Sequence, residues 1–213
     1  MQHRRLRLIK TTIIVIAIGA VVGCASAPPL TPIADPEQRL QFNGFSVLSP
    51  NGKYQNWVGR DGQDAAHLLN ATFVKRPPQT TPNTYIAMVE IINAQGGKFA
   101  TSERLHNYVK NLQIMQAAPR QQIVKSAFAI DDALGPLYVR FDLEATDPSV
   151  PGWSESTFNV DVRGYQYVHF RAADFLVTIA YSRRTLQGNS PLGGNDEGEW
   201  FLNNLQLTDV QRK

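Results

Sequence analysis

The sequence predicts a single α+β domain, with a mainly antiparallel β-sheet covered by one amphipathic helix and a short C-terminal helix. Apolar and polar residues alternate, as in strands, along residues 84–92, 137–144, 157–163 and 175–182. A helical period extends over residues 102–117. Parallel neighbours need long, usually helical connections, and the predicted helices are too few to supply them. The sheet is therefore expected to be antiparallel.

The first half of the folded chain predicts a series of strands. Phe45 and Val47 alternate with Ser46, ahead of a turn signal at residues 49–52. Three further candidates follow, at residues 54–58, 67–75 and 84–92. The third carries apolar side chains on both of its sides, which indicates a central strand covered on both faces.

One amphipathic helix is predicted over residues 102–117. Its apolar residues recur three or four positions apart: Leu105, Tyr108, Val109, Leu112 and Met115. Thr101 or Ser102 can cap the start by accepting a backbone N–H, and Pro119 closes the end.

After this helix the chain returns to strands. The candidates are a weak strand at residues 123–131 and clearer ones at 137–144, 157–163, 165–171 and 175–182. Alternation places several charged side chains outward, namely Arg140, Asp142, Glu144, Asp161 and Arg163. Gly164 is expected to allow a bulge. Asp196 and Glu199 have the spacing of a capping box at the start of a final helix, where Trp200 and Phe201 supply apolar mass.

The N-terminus has the features of an export signal. Residues 1–10 carry four basic and no acidic side chains, and residues 11–22 are mostly apolar. That run is shorter than the roughly 20 apolar residues of a transmembrane helix. A signal peptide at residues 1–23 is therefore predicted rather than a permanent membrane span.

Val21-Val22-Gly23-Cys24 resembles the lipobox of bacterial lipoproteins. The resemblance implies that the Cys24 sulfur carries a diacylglyceryl group, that the mature chain begins there, and that palmitate is incorporated. Two or three acyl chains hold firmly to a bilayer, since each buried methylene contributes about 0.8 kcal/mol. The residue after the cysteine is Ala25 and not aspartate, and by the same resemblance this implies that the lipoprotein is transferred to the outer membrane. The alternative is an ordinary secretory signal cut after residues 25–27, Ala-Ser-Ala.

Residues 24–41 contain several prolines and are predicted to form a lipidated tether, with the folded domain at residues 42–213. Without residues 1–23 the chain has 17 basic and 18 acidic side chains, a formal charge of −1. This balance argues against a nucleic-acid partner, which favours a clustered basic face. Cys24 is the only cysteine, so its lipidation would exclude disulfides within the chain and thiolate chemistry.

The segment Gly44-Phe45-Ser46-Val47-Leu48-Ser49-Pro50 and the hairpin over residues 167–182 resemble PsbP-like domains. The resemblance implies an α/β/α sandwich around an antiparallel sheet and favours protein binding. That family shares no common active site, so no functional residue is carried over to this chain.

No group of residues has the spacing of a known reaction centre. His67, His106 and His169 lack the arrangement of a metal site, so no metal and no cofactor is expected. Residues 152–156 lack the final glycine of a nucleophile elbow. The glycine-rich residues 188–198 lack the lysine of a phosphate loop and carry acidic residues instead.

Aromatic residues are the candidates for a contact surface, because aromatic side chains are enriched at interfaces. They are Trp57, Trp153, Tyr165 and Tyr167. The sequence predicts a non-enzymatic binding or assembly module on the periplasmic face of the outer membrane, with envelope proteins or peptidoglycan as partners. The alternative is a lipid-tethered envelope hydrolase acting through histidine or through carboxylate pairs: Asp131-Asp132, Asp142/Glu144 or Asp196/Glu199.

Overall fold

The structure is a computed structural model of the 213-residue chain. It describes residues 31–35, 37–50, 57–60, 68–75, 83–93, 99–118, 120–131, 133–134, 137–148, 156–189 and 196–210. Eleven strands and two helices lie in these residues.

The elements follow one another in chain order. Before the long helix come β1 (Thr31–Pro32), β2 (Arg39–Phe42), β3 (Phe45–Leu48), β4 (Trp57–Arg60), β5 (Leu68–Lys75) and β6 (Thr84–Asn93). The long helix is α1 (Ser102–Ala117). After it come β7 (Gln122–Ile130), β8 (Tyr138–Asp147), β9 (Phe158–Val168), β10 (Phe175–Leu186), α2 (Asp196–Leu202) and β11 (Leu205–Leu207).

The strands form two antiparallel sheets. The larger has eight strands in the order β1-β4-β5-β6-β10-β9-β8-β7, and the smaller has three in the order β11-β3-β2. Every strand pair in both sheets is antiparallel. The predicted fold class, an α+β domain with a mainly antiparallel sheet and two helices, is confirmed.

Strands β6 and β10 pair at the centre of the large sheet, with Val89 opposite Ile179. On the first face the side chains of Met88 and Ala180 are buried, and on the second those of Val89 and Ile179 are buried. A strand pair that is apolar on both faces needs a covering layer on each side.

Helix α1 covers the first face. Thr101 caps it as predicted, because its hydroxyl accepts the backbone N–H of Arg104 at 3.3 Å. Leu105 and Val109 are fully buried in this layer, and α1 lies over β7 and β8. The buried members of this layer from the sheet are Met88, Val139, Phe141, Leu143, Ala145, Val160, Val162, Leu176 and Ala180.

Strand β3 and helix α2 cover the second face, over the half formed by β5, β6 and β10. Phe45 of β3 and Phe201 of α2 are fully buried, and the Phe201 ring meets that of Phe73 edge-on, with centroids 5.7 Å apart. With α1 on the opposite face, the domain has three layers around the large sheet.

The predicted boundary between tether and domain is wrong. Residues 31–32 form β1 and pair with β4, and Arg39–Phe42 forms β2 and pairs with β3. The folded part therefore begins within residues 24–41. Strands of two to four residues are too short to show a period, so pairing partners in the rest of the fold determine them. Residues 24–30 lie outside the described part.

The predicted bulge at Gly164 is also wrong, because β9 pairs with β8 and β10 in an unbroken register. A Cβ atom at Gly164 would lie 2.6 Å from the Phe141 ring, so glycine is required there for close packing. The register instead shifts in β7, between Ile123 and Lys125.

A buried ion pair joins α2 to the large sheet. Lys75 Nζ lies 3.2 Å from Glu197 Oε1, and both side chains are about 5% exposed or less. The ammonium also lies 5.0 Å from the centre of the Tyr85 ring. Burial lowers the pKa of Lys75, and the carboxylate of Glu197 opposes that shift.

Breaking this pair should destabilise the fold. Lys75→Met and Glu197→Leu each leave one charge buried without its partner, so we expect the free energy of unfolding to fall by about 3 to 5 kcal/mol. The double variant should lose clearly less than the sum of the two. Urea unfolding at pH 7 measures all four proteins, and strictly additive losses would contradict the pairing.

Candidate functional site

The described residues cover the second face of the large sheet over only half its width. Beyond β10 the strands β9, β8 and β7 present polar side chains on this face. We call this region the open face and define it by its charged residues and one tyrosine. They are Lys125, Arg140, Asp142, Glu144, Asp161, Arg163, Tyr165, Arg183 and, from α2, Glu199. The charged residues predicted to point outward in β8 and β9 all lie on it.

A chain of ion pairs crosses the open face from β8 to α2. Arg140 Nε lies 3.2 Å from Asp142 Oδ2, and Asp142 Oδ1 lies 3.5 Å from Arg163 Nε. The chain ends at Glu199, whose Oε1 lies 3.6 Å from Arg163 Nη1. These side chains are between about a third and a half exposed, so the pairs position charges for contact with solvent or a partner and add little stability.

Two more ion pairs flank this chain. Arg183 Nη2 lies 3.1 Å from Asp161 Oδ2, and Lys125 Nζ lies 3.3 Å from Glu144 Oε1. The open face thus carries four cations and four carboxylates in alternation. Such a surface favours a polar partner with charges or hydrogen-bonding groups of both kinds.

A groove of about 220 Å³ runs along the open face. Its charged lining residues are Lys125, Asp142, Glu144, Asp161 and Arg163. Each of its three carboxylates lies within 4 Å of a cation. The groove is therefore lined by ion-paired charges of both signs.

The two tyrosines predicted for the contact surface differ in exposure. Tyr165 lies opposite Arg140, where the open face meets the covered half of the sheet, and it is partly exposed; burial raises its pKa, and the charge of Arg140 opposes this shift. Tyr167 is only 5% exposed and stacks on Tyr138, with ring centroids 4.1 Å apart. Tyr167 is therefore a packing residue and does not belong to an exposed contact patch, because its end of the strand lies under the covering layer.

The other predicted positions fall partly outside the described residues. Trp57 lies in β4, and its side chain is not among the described ones. Cys24, Trp153 and His67 lie outside the described residues altogether.

The two described histidines have structural surroundings. His169 is fully buried; the backbone N–H of Arg171 donates to its Nδ1 at 3.1 Å, so Nε2 carries the proton and donates to the Gly44 carbonyl at 3.2 Å. Burial lowers the pKa of His169, which keeps it neutral. His106 of α1 has different surroundings, because its Nε2 lies 3.4 Å from the carbonyl oxygen of Phe128 in β7. In the described part of the chain no group of residues can hold a metal ion.

Sequence reasoning missed a row of polar side chains beneath α1. Glu90 and Thr178 face each other across β6 and β10, and Thr178 faces Gln166 across β10 and β9. All three are less than 10% exposed, and within the described ranges the Gln166 amide has no hydrogen-bond partner. A glutamate in the middle of the apolar run 84–92 was the one visible signal of this row.

Burial raises the pKa of Glu90 from 4.5 to about 7. None of the ion pairs between described residues includes this carboxylate. On the same face, Tyr108 of α1 is the titratable group whose ionisation Glu90 opposes. The carboxyl is therefore buried in its neutral form at low pH.

Comparisons with known proteins do not assign the chain to a family. No family model and no curated protein matches the chain. Among solved structures, a mutant of the protein Mog1 is similar to it, with 9% sequence identity and a TM-score of 0.44. The match covers 81% of this chain and 96% of that chain. In the described residues no helix has the length and apolar character needed to cross a membrane.

The raised pKa of Glu90 predicts that stability falls as pH rises. The folded state binds the proton more tightly than the unfolded state, so the stabilisation is complete below pH 4.5 and is lost as pH rises through about 7. Between pH 5 and 8 we expect a loss of about 2 to 3 kcal/mol.

The matched control is Glu90→Gln, which keeps the shape and cannot ionise. Subtracting its pH profile from that of the wild type also removes the opposite contribution of His169, whose lowered pKa favours the fold at higher pH. Urea unfolding at several pH values provides both profiles. Parallel profiles would show that Glu90 titrates as it does in the unfolded chain.

Proposed function

We propose that the protein is a lipid-anchored lipoprotein of the bacterial cell envelope, on the periplasmic face of the outer membrane. The observation that carries the proposal is the segment Val21-Val22-Gly23-Cys24 after a basic and then apolar N-terminus. A thiol at that position is what the lipid transfer requires, and it is the only thiol in the sequence.

The proposed anchor would hold the domain close to the bilayer. Thr31, the first residue of β1, is the seventh residue after Cys24. Seven extended residues reach at most about 25 Å. The anchored domain would therefore act at the membrane surface, and a partner deep in the periplasm would have to reach toward it.

We further propose that the domain is a non-enzymatic binding or assembly module whose contact surface is the open face. The support is its alternating charges, its groove and the partly exposed Tyr165, a combination suited to a polar protein surface or to peptidoglycan. Proteins of the envelope are the favoured partners, in keeping with the resemblance to PsbP-like domains. The proposal includes no cofactor.

Lipidation predicts a direct chemical result. Radiolabelled palmitate supplied to cells should enter the wild-type protein and should be absent from Cys24→Ser, because serine cannot form the thioether. The variant should also move from the membrane fraction to the soluble fraction or keep its leader. Equal label in the variant would contradict the proposal.

A photocrosslinking residue in place of Tyr165 should form a specific adduct with the partner in intact cells. Phe170, which is 70% exposed in the turn between β9 and β10, is the matched control position outside the open face. Arg163→Glu in the Tyr165 probe should lower adduct yield several-fold, because it reverses a charge at the centre of the ion-pair chain. Equal yields at positions 165 and 170, or no effect of Arg163→Glu, would contradict the assignment.

A further inference from the structure

Strand β7 is the outer edge of the eight-stranded sheet. It pairs with β8 on one side, and in the described part of the chain no strand lies on its other side. An edge strand presents backbone N–H and C=O groups that can pair with another strand. Seven of its nine residues are exposed, so in the described part of the chain most of this edge is accessible; the Phe128 carbonyl lies 3.4 Å from His106 Nε2.

Exposed apolar side chains concentrate around the same edge. Six large apolar side chains are strongly exposed in the described residues, and four of these lie on α1, β7 or the turn after β7. These four are Met115, Val124, Ile130 and Leu134. These exposed apolar side chains are spread along the length of the edge, so apolar surface is available beside the strand that a partner would pair with.

The first half of β7 is protected against pairing and the second half is not. The register shift at Val124 and the exposed Lys125 are features that keep edge strands from pairing indiscriminately. The following residues, 126–130, are Ser-Ala-Phe-Ala-Ile and continue in regular register with β8. Any added strand is therefore directed to this segment.

We propose that β7 pairs with β7 of a second copy of this chain, antiparallel and about a twofold axis at Phe128. The two large sheets then form one continuous sheet of sixteen strands. This goes beyond the proposed anchoring and binding function and does not depend on it. A twofold contact of this kind pairs the two β7 strands with each other, so neither β7 edge remains open to a further copy.

Charge complementarity selects this register. With the axis at Phe128, Lys125 lies opposite the partner's Asp131, and the reverse pair forms by symmetry. Both residues act on side chains of the open face: Lys125 contacts Glu144, and the charge of Asp131 acts on Tyr165. None of the ion pairs between described residues includes Asp131.

Other registers are less complementary. An axis at Ala127 would place Lys125 opposite an alanine, and an axis at Lys125 would place two lysines opposite each other. The Phe128 register also keeps Val124, the residue at the register shift, outside the paired segment.

The α1 side of the pairing is apolar. Phe128 lies opposite the partner's Phe128, and Ser126 lies opposite the partner's Ile130. The His106 ring meets the Phe128 ring edge-on, with centroids 6.4 Å apart, and holds it at the sheet edge. Because α1 lies over β7 and β8, pairing of the two β7 strands would bring the two α1 helices to the same side of the joined sheet, next to the new strand pair.

The test is a charge swap between copies. Lys125→Glu opposes the partner's Asp131, and Asp131→Lys opposes the partner's Lys125. We expect each variant alone to raise the dimer dissociation constant about tenfold or more. An equimolar mixture of the two should dimerise like the wild type, because both contacts become attractive in the mixed pair.

Sedimentation equilibrium of the full chain in mild detergent measures self-association, and thermal unfolding checks that each variant folds. Glu37→Lys, an exposed charge reversal just before β2 of the smaller sheet, is the control and should leave the dimer intact. If the wild type stays monomeric at all concentrations, the proposal is overturned. This holds even if β7 is then found to pair with a different protein. A dimer that neither single variant weakens, or that the mixture does not restore, would also overturn it.

Discussion

The central pair of strands, β6 and β10, sets the constraint on which the rest of the domain depends. Apolar side chains project from both faces of this strand pair, so water must be excluded from both sides of it. Helix α1 does so on one face, and β3 with α2 does so on the other. The buried contact between Lys75 and Glu197 then fixes α2 to the sheet at a point where two charges would otherwise be costly to bury.

The covering layers end before the sheet does, and the proposed surfaces arise from that mismatch. On the second face, the cover stops near β10, and β8 and β9 carry paired charges in place of apolar side chains. At the last strand, β7, no strand from the described residues pairs with the backbone on one side. Pairing of two β7 strands would place two open faces side by side on one continuous sheet, with both α1 helices on the opposite face. A lipid anchor on each copy would then hold the assembly by two attachment points.

Much of the fold could be predicted because, in the long helix and the long strands, the spacing of apolar residues in the sequence matches the pattern of buried side chains. Helix α1 begins and ends where its apolar spacing, Thr101 cap and Pro119 indicate. The strands from β5 to β10 lie close to their predicted positions, because side chains that alternate in the sequence alternate between the faces of the sheet. β1, β2 and β11 were not predicted, since strands this short depend on their partners.

The outward charges of the open face followed from alternation, but their pairing across strands did not, because it depends on register. The burial of Tyr167 depends on the layer above it, and the burial of Glu90 depends on α1; neither is visible in local sequence.

The proposed lipid on the Cys24 sulfur would hold the folded domain at a bilayer. The mass of the native N-terminal peptide tests this proposal most directly. Mass spectrometry of the protein purified from membranes should show an N-terminal peptide that begins at Cys24 and carries the added mass of two or three acyl chains with the glyceryl group. A native protein that begins beyond residue 24 without modification, or that retains residues 1–23, would contradict the account.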